Sequence, residues 1–285
     1  MEKRIALLGG DLRQVHLARL LAADGWDVAA WGLERGEVPG SVPLEKALER
    51  YIVALPLPVG RKGRLTLPLS GEELPLDRLW SLLRRDQLLL GGQAGALKET
   101  LAADYGVTLE DYFDREETQV LNAVPTAEGA VQRAMEATDG VLLGAKCLVV
   151  GYGRIGKVLC HRLAGLGAHV TAAARRYSQL AWAKAFGCEA LPMEALGDGL
   201  GTYDVIFNTV PAPVLDRALL ARTGTDCVLL ELASPPGGID GEAARDLGRR
   251  LIPAPGLPGQ VAPRTAAAIL LDSIYHILEE RGVPI

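Results

Sequence analysis

Residues 148–156, Leu-Val-Val-Gly-Tyr-Gly-Arg-Ile-Gly, set three β-prone apolar residues directly against a G-x-G-x-x-G spacing. The chemistry such a spacing serves is the grip on a pyrophosphate. Gly151 permits a tight turn, Gly153 lets the backbone approach the phosphates, and Gly156 lets the following helix pack on the strand. Tyr152, Arg154 and Ile155 complete the turn. The helix then turns its free N–H groups and positive dipole end toward the anion. The second chemical signal is Ala174-Arg175-Arg176-Tyr177-Ser178. A site for NAD usually offers a carboxylate to the ribose 2′-hydroxyl about 20 residues after the glycines. Here no Asp or Glu occurs between Gly156 and Glu189. Arg175, Arg176 and Ser178 suit a 2′-phosphate instead, since a guanidinium binds phosphate oxygens in pairs. Tyr177 offers adenine a stacking surface. The competing reading makes the two arginines a solvated pair that opens a helix.

These residues need elements to hold them. Val158–Leu163 reads as a helix closed by Gly165 or Gly167, and His169–Ala174 as the next strand. Strand, glycine turn, helix and strand in that order are the context that gives the motif meaning. Further strands follow at Cys188–Leu191, Asp204–Pro211, Cys227–Leu232 and Leu251–Ala254. In a doubly wound sheet their C-terminal ends line one crevice. Asn208, Thr209, Val210 and Ser234 are therefore expected near the nicotinamide ribose and carboxamide, although turn geometry alone also selects such residues.

The chain opens with another strand, Arg4–Leu8, a Gly9-Gly10-Asp11 turn, a helix to about Ala23 and a strand at Trp26–Trp31. Asp11 is a good helix cap and a poor phosphate neighbour. Arg13 follows at the sheet edge where ligands bind. Strands at Tyr51–Leu55 and Gln87–Leu90 extend this first sheet, and the second of them ends at Gly91-Gly92-Gln93. The stretch 55–76 is broken by Pro56, Pro58, Gly60 and Gly63, and reads as a loop or hairpin that either covers a site or decorates a surface. Residues 104–114 read as a polar connection. Pro125 at a first helical position, with Thr126 and Glu128 behind it, predicts a helix start. That helix runs to about Thr138 and crosses between domains. The last helix, Arg264–Arg281, carries a wide apolar face that suits either the first domain or a subunit contact. The fold class is α/β, with two doubly wound parallel sheets. The expected boundaries are 1–121, a Rossmann domain over 122–262, and a C-terminal helix over 263–285.

Composition sets limits. With 285 residues, 49% of them hydrophobic and 23% charged, the chain is long enough for two cores. A net charge of −5 and 5% aromatic content argue against nucleic acid as a partner. Cys147, Cys160, Cys188 and Cys227 form no C-x-x-C pair and read as reduced core thiols of a cytoplasmic protein. The four histidines have no metal-ligand spacing, so no metal is expected. No apolar run reaches membrane-spanning length.

GGDLRQ at Gly9–Gln14, NAVPTAEG at Asn122–Gly129, GYGRIG, the Asn208-Thr209-Val210-Pro211 strand end, SPPGGID from Ser234 and APGLPGQVAPRTA from Ala254 follow one another in order. Together they resemble the A-subunit family of dipicolinate synthase, along essentially the whole chain. GxGxxG and NTVP are shared with many dehydrogenases; the other motifs are more specific. One departure is Pro235, where the family pattern places an Arg, and the proline-rich loop after Leu55 also matches poorly. The resemblance implies NADP-linked oxidation of a dihydrodipicolinate, itself formed from 4-hydroxy-tetrahydrodipicolinate by loss of water, to pyridine-2,6-dicarboxylate. It also implies a second, flavoprotein-like B subunit and the mother cell of a sporulating bacterium. Aromatising such a ring needs a hydride acceptor and removal of one proton, while the protein holds two carboxylates and excludes water. Arg13 is the first candidate for a carboxylate clamp, helped by N–H groups at Gly10 and Asp11. Asn122, Thr126 and Gln93 would complete the pocket. Glu128 would accept the proton or orient Arg13; otherwise it is a helix N-terminal acid favoured by the dipole. Two rival readings keep the fold: a dehydrogenase of another small carboxylate, and a non-catalytic nucleotide-binding subunit. A homo-oligomer is compatible with all of them.

Overall fold

The computed structural model describes residues 3–283, and these form two compact units: one of residues 3–122 with 262–283, the other of Ala123–Val261. The first holds strands β1 (Arg4–Leu8), β2 (Asp27–Trp31), β3 (Ile52–Ala54), β4 (Gly60–Arg61), β5 (Arg64–Leu65), β6 (Leu88–Gly91) and β7 (Leu109–Asp111). Its helices are α1 (Leu12–Ala23), α2 (Leu44–Ala47), α3 (Leu76–Leu82) and α4 (Leu97–Thr100). Five strands make one parallel sheet in the order β2-β1-β3-β6-β7. Apart from the exposed Arg4 that opens β1, the interior strands are apolar, as burial on both faces requires: Ile5, Leu7, Leu8, Val53 and Leu89 are fully buried.

β7 lies where a polar connection was expected. Leu109-Glu110-Asp111 is short and carries two acids, a composition poor in strand preference. Tertiary pairing with β6 makes it a strand all the same. The stretch after Leu55 is a folded hairpin, β4 with β5. It lies across the ends of the parallel strands: the Thr66 carbonyl accepts the Gly10 N–H at 2.8 Å, and the Leu67 side chain fills the space beside Gly9 and Gly32.

Helix α5 (Glu116–Ala137) begins two turns earlier than expected and has Pro125 inside it. Pro at that point removes a hydrogen bond from a helix already running. The start signal is read instead by Glu116 and Glu117, two acids in the first turn that complement the dipole.

The second unit holds β8 (Lys146–Val150), β9 (His169–Ala174), β10 (Glu189–Pro192), β11 (Val205–Asn208), β12 (Val228–Glu231) and β13 (Arg250–Pro253). All pair in parallel, in the order β10-β9-β8-β11-β12-β13. Counted within the unit this is 3-2-1-4-5-6, the doubly wound dinucleotide-binding order. Its helices after α5 are α6 (Arg154–Gly165), α7 (Tyr177–Ala185), α8 (Arg217–Leu220), α9 (Gly241–Asp246) and α10 (Leu257–Val261). Gly129 on α5 leaves room for α10: a Cβ there would sit 2.9 Å from Val261 and 3.1 Å from Leu257.

Helix α11 (Pro263–Glu280) belongs to the first unit. Ala267, Leu270, Leu271, Ile274, Ile277 and Leu278 pack with Val15, Ala18 and Leu21 of α1 in one core. Ser273 donates to the Tyr112 carbonyl at 2.8 Å, and Arg115 grips Glu280 through two bonds of 2.9 and 2.8 Å. Among the described residues no helix is long and apolar enough to cross a membrane.

Candidate active site

The glycine turn between β8 and α6 divides its labour by position. Gly151 has φ +99°, and a Cβ on it would meet Thr209 Oγ1 at 2.3 Å. Gly156 faces the turn's own backbone: a Cβ would stand 2.0 Å from the Gly151 carbonyl oxygen. Gly153 is different. A Cβ there would meet nothing within 4 Å, and the residue is exposed at the N-cap of α6 with no side-chain cap. The turn is therefore packed at its first and third glycines and open at its second, at the mouth of an uncapped helix with no acid in its first turn. That is the arrangement a pyrophosphate requires. The equivalent turn of the first unit is closed: Asp11 caps α1 by accepting from Arg13 N at 3.0 Å.

Tyr152 contributes backbone only. Its side chain is 2% exposed and sits in the core with Leu159 and Cys160, where burial pushes the phenol up to about 12. Gln179, which no motif marks, holds the turn by donating to the Tyr152 carbonyl at 3.2 Å.

Past β9, Arg175 and Arg176 are exposed and make no ion pair among the described residues. Arg176 is the N-cap residue of α7, whose first turn holds no acid. Ser178 is exposed beside them, and Tyr177 is 88% exposed. Free cations and no neighbouring carboxylate leave this strand end positive.

The ends of β11 and β12 are organised differently from the expectation. Asn208 was placed beside the nicotinamide, but it is fully buried with its amide engaged on both sides. Its Nδ2 donates to the Val210 carbonyl and to Glu231 Oε1, at 3.0 and 2.7 Å, and its Oδ1 accepts from Val210 N. Thr209 donates to the Val150 carbonyl at 2.9 Å and so braces the glycine turn from behind. Glu231 is the centre of the cluster. Besides Asn208 it accepts from Ala233, Gly238 and Ile239 backbone N–H groups at 3.0, 2.7 and 2.9 Å. No motif spacing pointed to it. Ser234 and Pro235 are exposed in the turn that Glu231 ties down.

The expected carboxylate clamp in the first unit is occupied by the protein itself. Arg13 is 7% exposed; its Nε and Nη2 bond the Asp11 carboxylate, and Nη2 also donates to the Leu57 carbonyl. Gln14 donates to the Leu55 carbonyl at 3.2 Å, which also accepts from the Tyr112 hydroxyl at 2.8 Å. The Gly10 N–H is taken by Thr66. GGDLRQ thus ties the segment that follows β3, at Leu55 and Leu57, to the head of α1, and Asp11, not Glu128, orients Arg13.

Glu128 pairs with Arg162 at 3.2 Å. Arg162 lies eight residues along α6 from Arg154, about 12 Å down the helix axis from the phosphate end at 1.5 Å per residue. That pairing sets the Glu128 carboxylate beside the C-terminal half of α6 rather than beside the glycine turn at its start. Thr126 is buried and Asn122 half-buried on α5. Gln93 is exposed at the end of β6 with φ +54°, held there by Asp111, which accepts from Gln93 N and Ala94 N.

The comparisons with known proteins follow this division. Residues 4–113 match the model of the N-terminal domain of the dipicolinate synthase A subunit, and residues 120–228 that of the D-isomer specific 2-hydroxyacid dehydrogenase NAD binding domain. The dipicolinate synthase A subunit of Bacillus subtilis (strain 168) is 30% identical, covering 97% of this chain and 96% of its own. The chain belongs to the A-subunit family of dipicolinate synthase. The crystal structure of the Bacillus halodurans family member superposes with a TM-score of 0.88 at 28% identity, over 97% of both chains. That of the Bacillus subtilis protein gives 0.85 at 30% identity, over 98% of this chain and 97% of the other. A transhydrogenase from Sinorhizobium meliloti shares the fold, with a TM-score of 0.71 at 17% identity over 97% of this chain and 92% of the other. As a member of this family with a dehydrogenase-type domain, the chain is an oxidoreductase that binds NAD(P). The residues of the glycine turn fit that cofactor, since the one glycine facing open space is the one a diphosphate must approach.

Proposed function

We propose that this chain oxidises a dihydrodipicolinate to dipicolinate with NADP, acting with a partner protein during sporulation. The relatives' name supplies the product, and the family resemblance supplies the partner, a B subunit. The observation that carries the choice of cofactor is the strand end at Arg175 and Arg176. Two guanidiniums without internal partners among the described residues, on a segment with no carboxylate from Gly156 to Glu189, complement a 2′-phosphate and supply no carboxylate to accept from a ribose 2′-hydroxyl.

An oxidised nicotinamide, when bound, supplies the hydride acceptor. The rest falls to the chain. The α6 N-terminus and the Gly153 backbone hold the diphosphate. Arg175, Arg176 and Ser178 hold the 2′-phosphate. The Glu231–Asn208 cluster and Thr209 keep the strand ends at fixed spacing, so that the nicotinamide half is presented without reorganisation. The substrate loses a hydride and one proton and gains an aromatic ring, so the protein's task is orientation more than activation.

The test is nucleotide binding by calorimetry. Arg175→Ala combined with Arg176→Ala should weaken NADP binding at least about tenfold, the scale of a lost charge-assisted contact, and leave NAD binding unchanged. Equal loss for both nucleotides would remove the 2′-phosphate role. Formation of reduced nicotinamide by the purified chain, alone and with the B subunit, separates the enzyme from a nucleotide-binding regulatory protein: no turnover in either condition favours the regulatory reading.

A further inference from the structure

A cavity of about 360 Å³ opens in the first unit between the β4–β5 turn and the end of β6. Its polar rim is made by Lys62 and Gln93, and its apolar wall by Leu76, Ala94 and Leu97. The volume lies within the range of small-molecule sites, and an apolar wall with a few convergent polar groups is their usual composition. We propose that this cavity binds the carboxylate of a small ring acid.

Three observations lead there. The first is backbone geometry. Among the described residues, three that are not glycine have positive φ: Glu37, Lys62 and Gln93. Two of the three border this one cavity. Lys62 and Gly63, at φ +51° and +73°, are the centre of a two-residue hairpin turn. Such a turn selects Asn, Asp or Gly at its first central position, so a lysine there is kept against steric preference. Gln93 is kept in the same region by the Asp111 carboxylate, which accepts from Gln93 N, Ala94 N and Phe113 N at 3.1, 2.7 and 2.8 Å. Side chains held in disfavoured backbone conformations concentrate at ligand sites.

The second is charge. Of the cations flanking the cavity, Arg64 pairs with Glu73 and Lys98 with Asp114 at 2.9 Å, while Arg61, also without an ion pair among the described residues, does not line the cavity. Lys62 makes no ion pair or hydrogen bond among the described residues, and neither does the Gln93 side chain. Both residues line the cavity, and an ammonium and a carboxamide N–H are the donors a carboxylate needs. The third is place. Gln93 follows a strand of the parallel sheet at its C-terminal edge, where α/β folds take ligands.

Leu76 and Leu97 then receive the ring. Pyridine-2,6-dicarboxylate is the ligand chosen for the test, and that choice alone rests on the proposed function.

The test uses the full chain and titrates pyridine-2,6-dicarboxylate by calorimetry. Lys62→Gly removes the ammonium and suits the turn, so a loss of binding cannot come from turn damage. Gln93→Gly does the same at the other rim. Each should weaken binding at least about tenfold, the effect of losing a hydrogen bond to a charged group. Arg61→Ala removes a neighbouring exposed charge that does not line the cavity, and should change binding less than about twofold. The proposal is overturned if wild type does not bind the dianion, if Lys62→Gly binds as wild type, or if Arg61→Ala weakens binding equally. Two outcomes separate site from function. Full turnover in Lys62→Gly with unchanged affinity sinks the site and spares the reaction. Binding that depends on Lys62, without turnover in the presence or absence of the partner protein, sinks the reaction and spares the site.

Discussion

Glu231 does at residue scale what no motif announces. One carboxylate accepts four hydrogen bonds from two separate segments and joins the end of β12 to that of β11. Truncation leaves those donors without an acceptor, at about 1–3 kcal/mol for each one that water cannot reach. Glu231→Ala should therefore lower the melting temperature by several degrees and weaken dinucleotide binding together; a melt within a degree of wild type would show that the cluster is ornamental. Asp111 gives a second prediction, with a sign. Burial raises its carboxyl above the ordinary 3.8, and this outweighs three backbone N–H bonds that favour the charged form. The folded state thus binds the proton more tightly than the unfolded state. Its stabilising contribution is complete below the unfolded value and is lost as pH rises through the folded one. The carboxyl signal of Asp111 should titrate above the ordinary aspartate value, and Asp111→Asn should flatten that segment of the stability profile. A normal titration of this carbon would reject the account. Both residues show where a sequence stops speaking. Asn208 was legible as a strand-end residue, and it does end β11. Its partner was not, because Glu231 lies 23 residues on and is brought beside it only by the pairing of β11 with β12.

At the scale of elements, the glycine turn was the most legible part of the chain, since each glycine answers a local demand. The same demands predict that two alanines behave oppositely. Gly156→Ala drives a methyl into the Gly151 carbonyl, a backbone atom that cannot rotate away. Overpacking of this kind costs about 1–3 kcal/mol or more, so the melting temperature should fall and binding with it. Gly153→Ala meets no protein atom at φ −88°, so the fold should melt nearly as wild type while dinucleotide affinity drops. Circular-dichroism melts with nucleotide titration distinguish them; retained affinity in Gly153→Ala would mean that no diphosphate approaches that atom. Less was legible where tertiary pairing overrode local preference. β7 carries acids at two of its three positions, and pairing with β6 alone makes it a strand. Pro125 is a good start signal in isolation, but α5 had already begun at Glu116. Glu128 was read from that false start. Once the helix is continuous, the residue falls beside Arg162, far along α6 from the phosphates.

Among the described residues the buried side chains form four hydrophobic clusters, two in each unit, and none spans both. The chain crosses from the first unit to the second and returns, because α11 completes the first core rather than extending the last sheet. The apolar face of α11 was plain in its sequence. Its destination was not, since a helical stripe specifies that something must cover it and says nothing of what does. The returning helix makes a prediction about where damage is felt. Ile274 of α11 is fully buried with α1, and Phe207 of β11 is fully buried in the dinucleotide unit. Each cut to alanine should cost about 2–5 kcal/mol by loss of transfer energy and the cavity left behind. Ile274→Ala should speed amide exchange in β1, β3 and α1, more than 200 residues earlier in the chain, while leaving β8 and β9 protected. Phe207→Ala should do the reverse. Nucleotide should then restore protection in the Phe207 variant, since a ligand stabilises the state it binds by mass action. If Ile274→Ala instead loosened β8 and β9 and left β1 untouched, the last helix would belong to the other core and the division of the chain into these two units would be wrong.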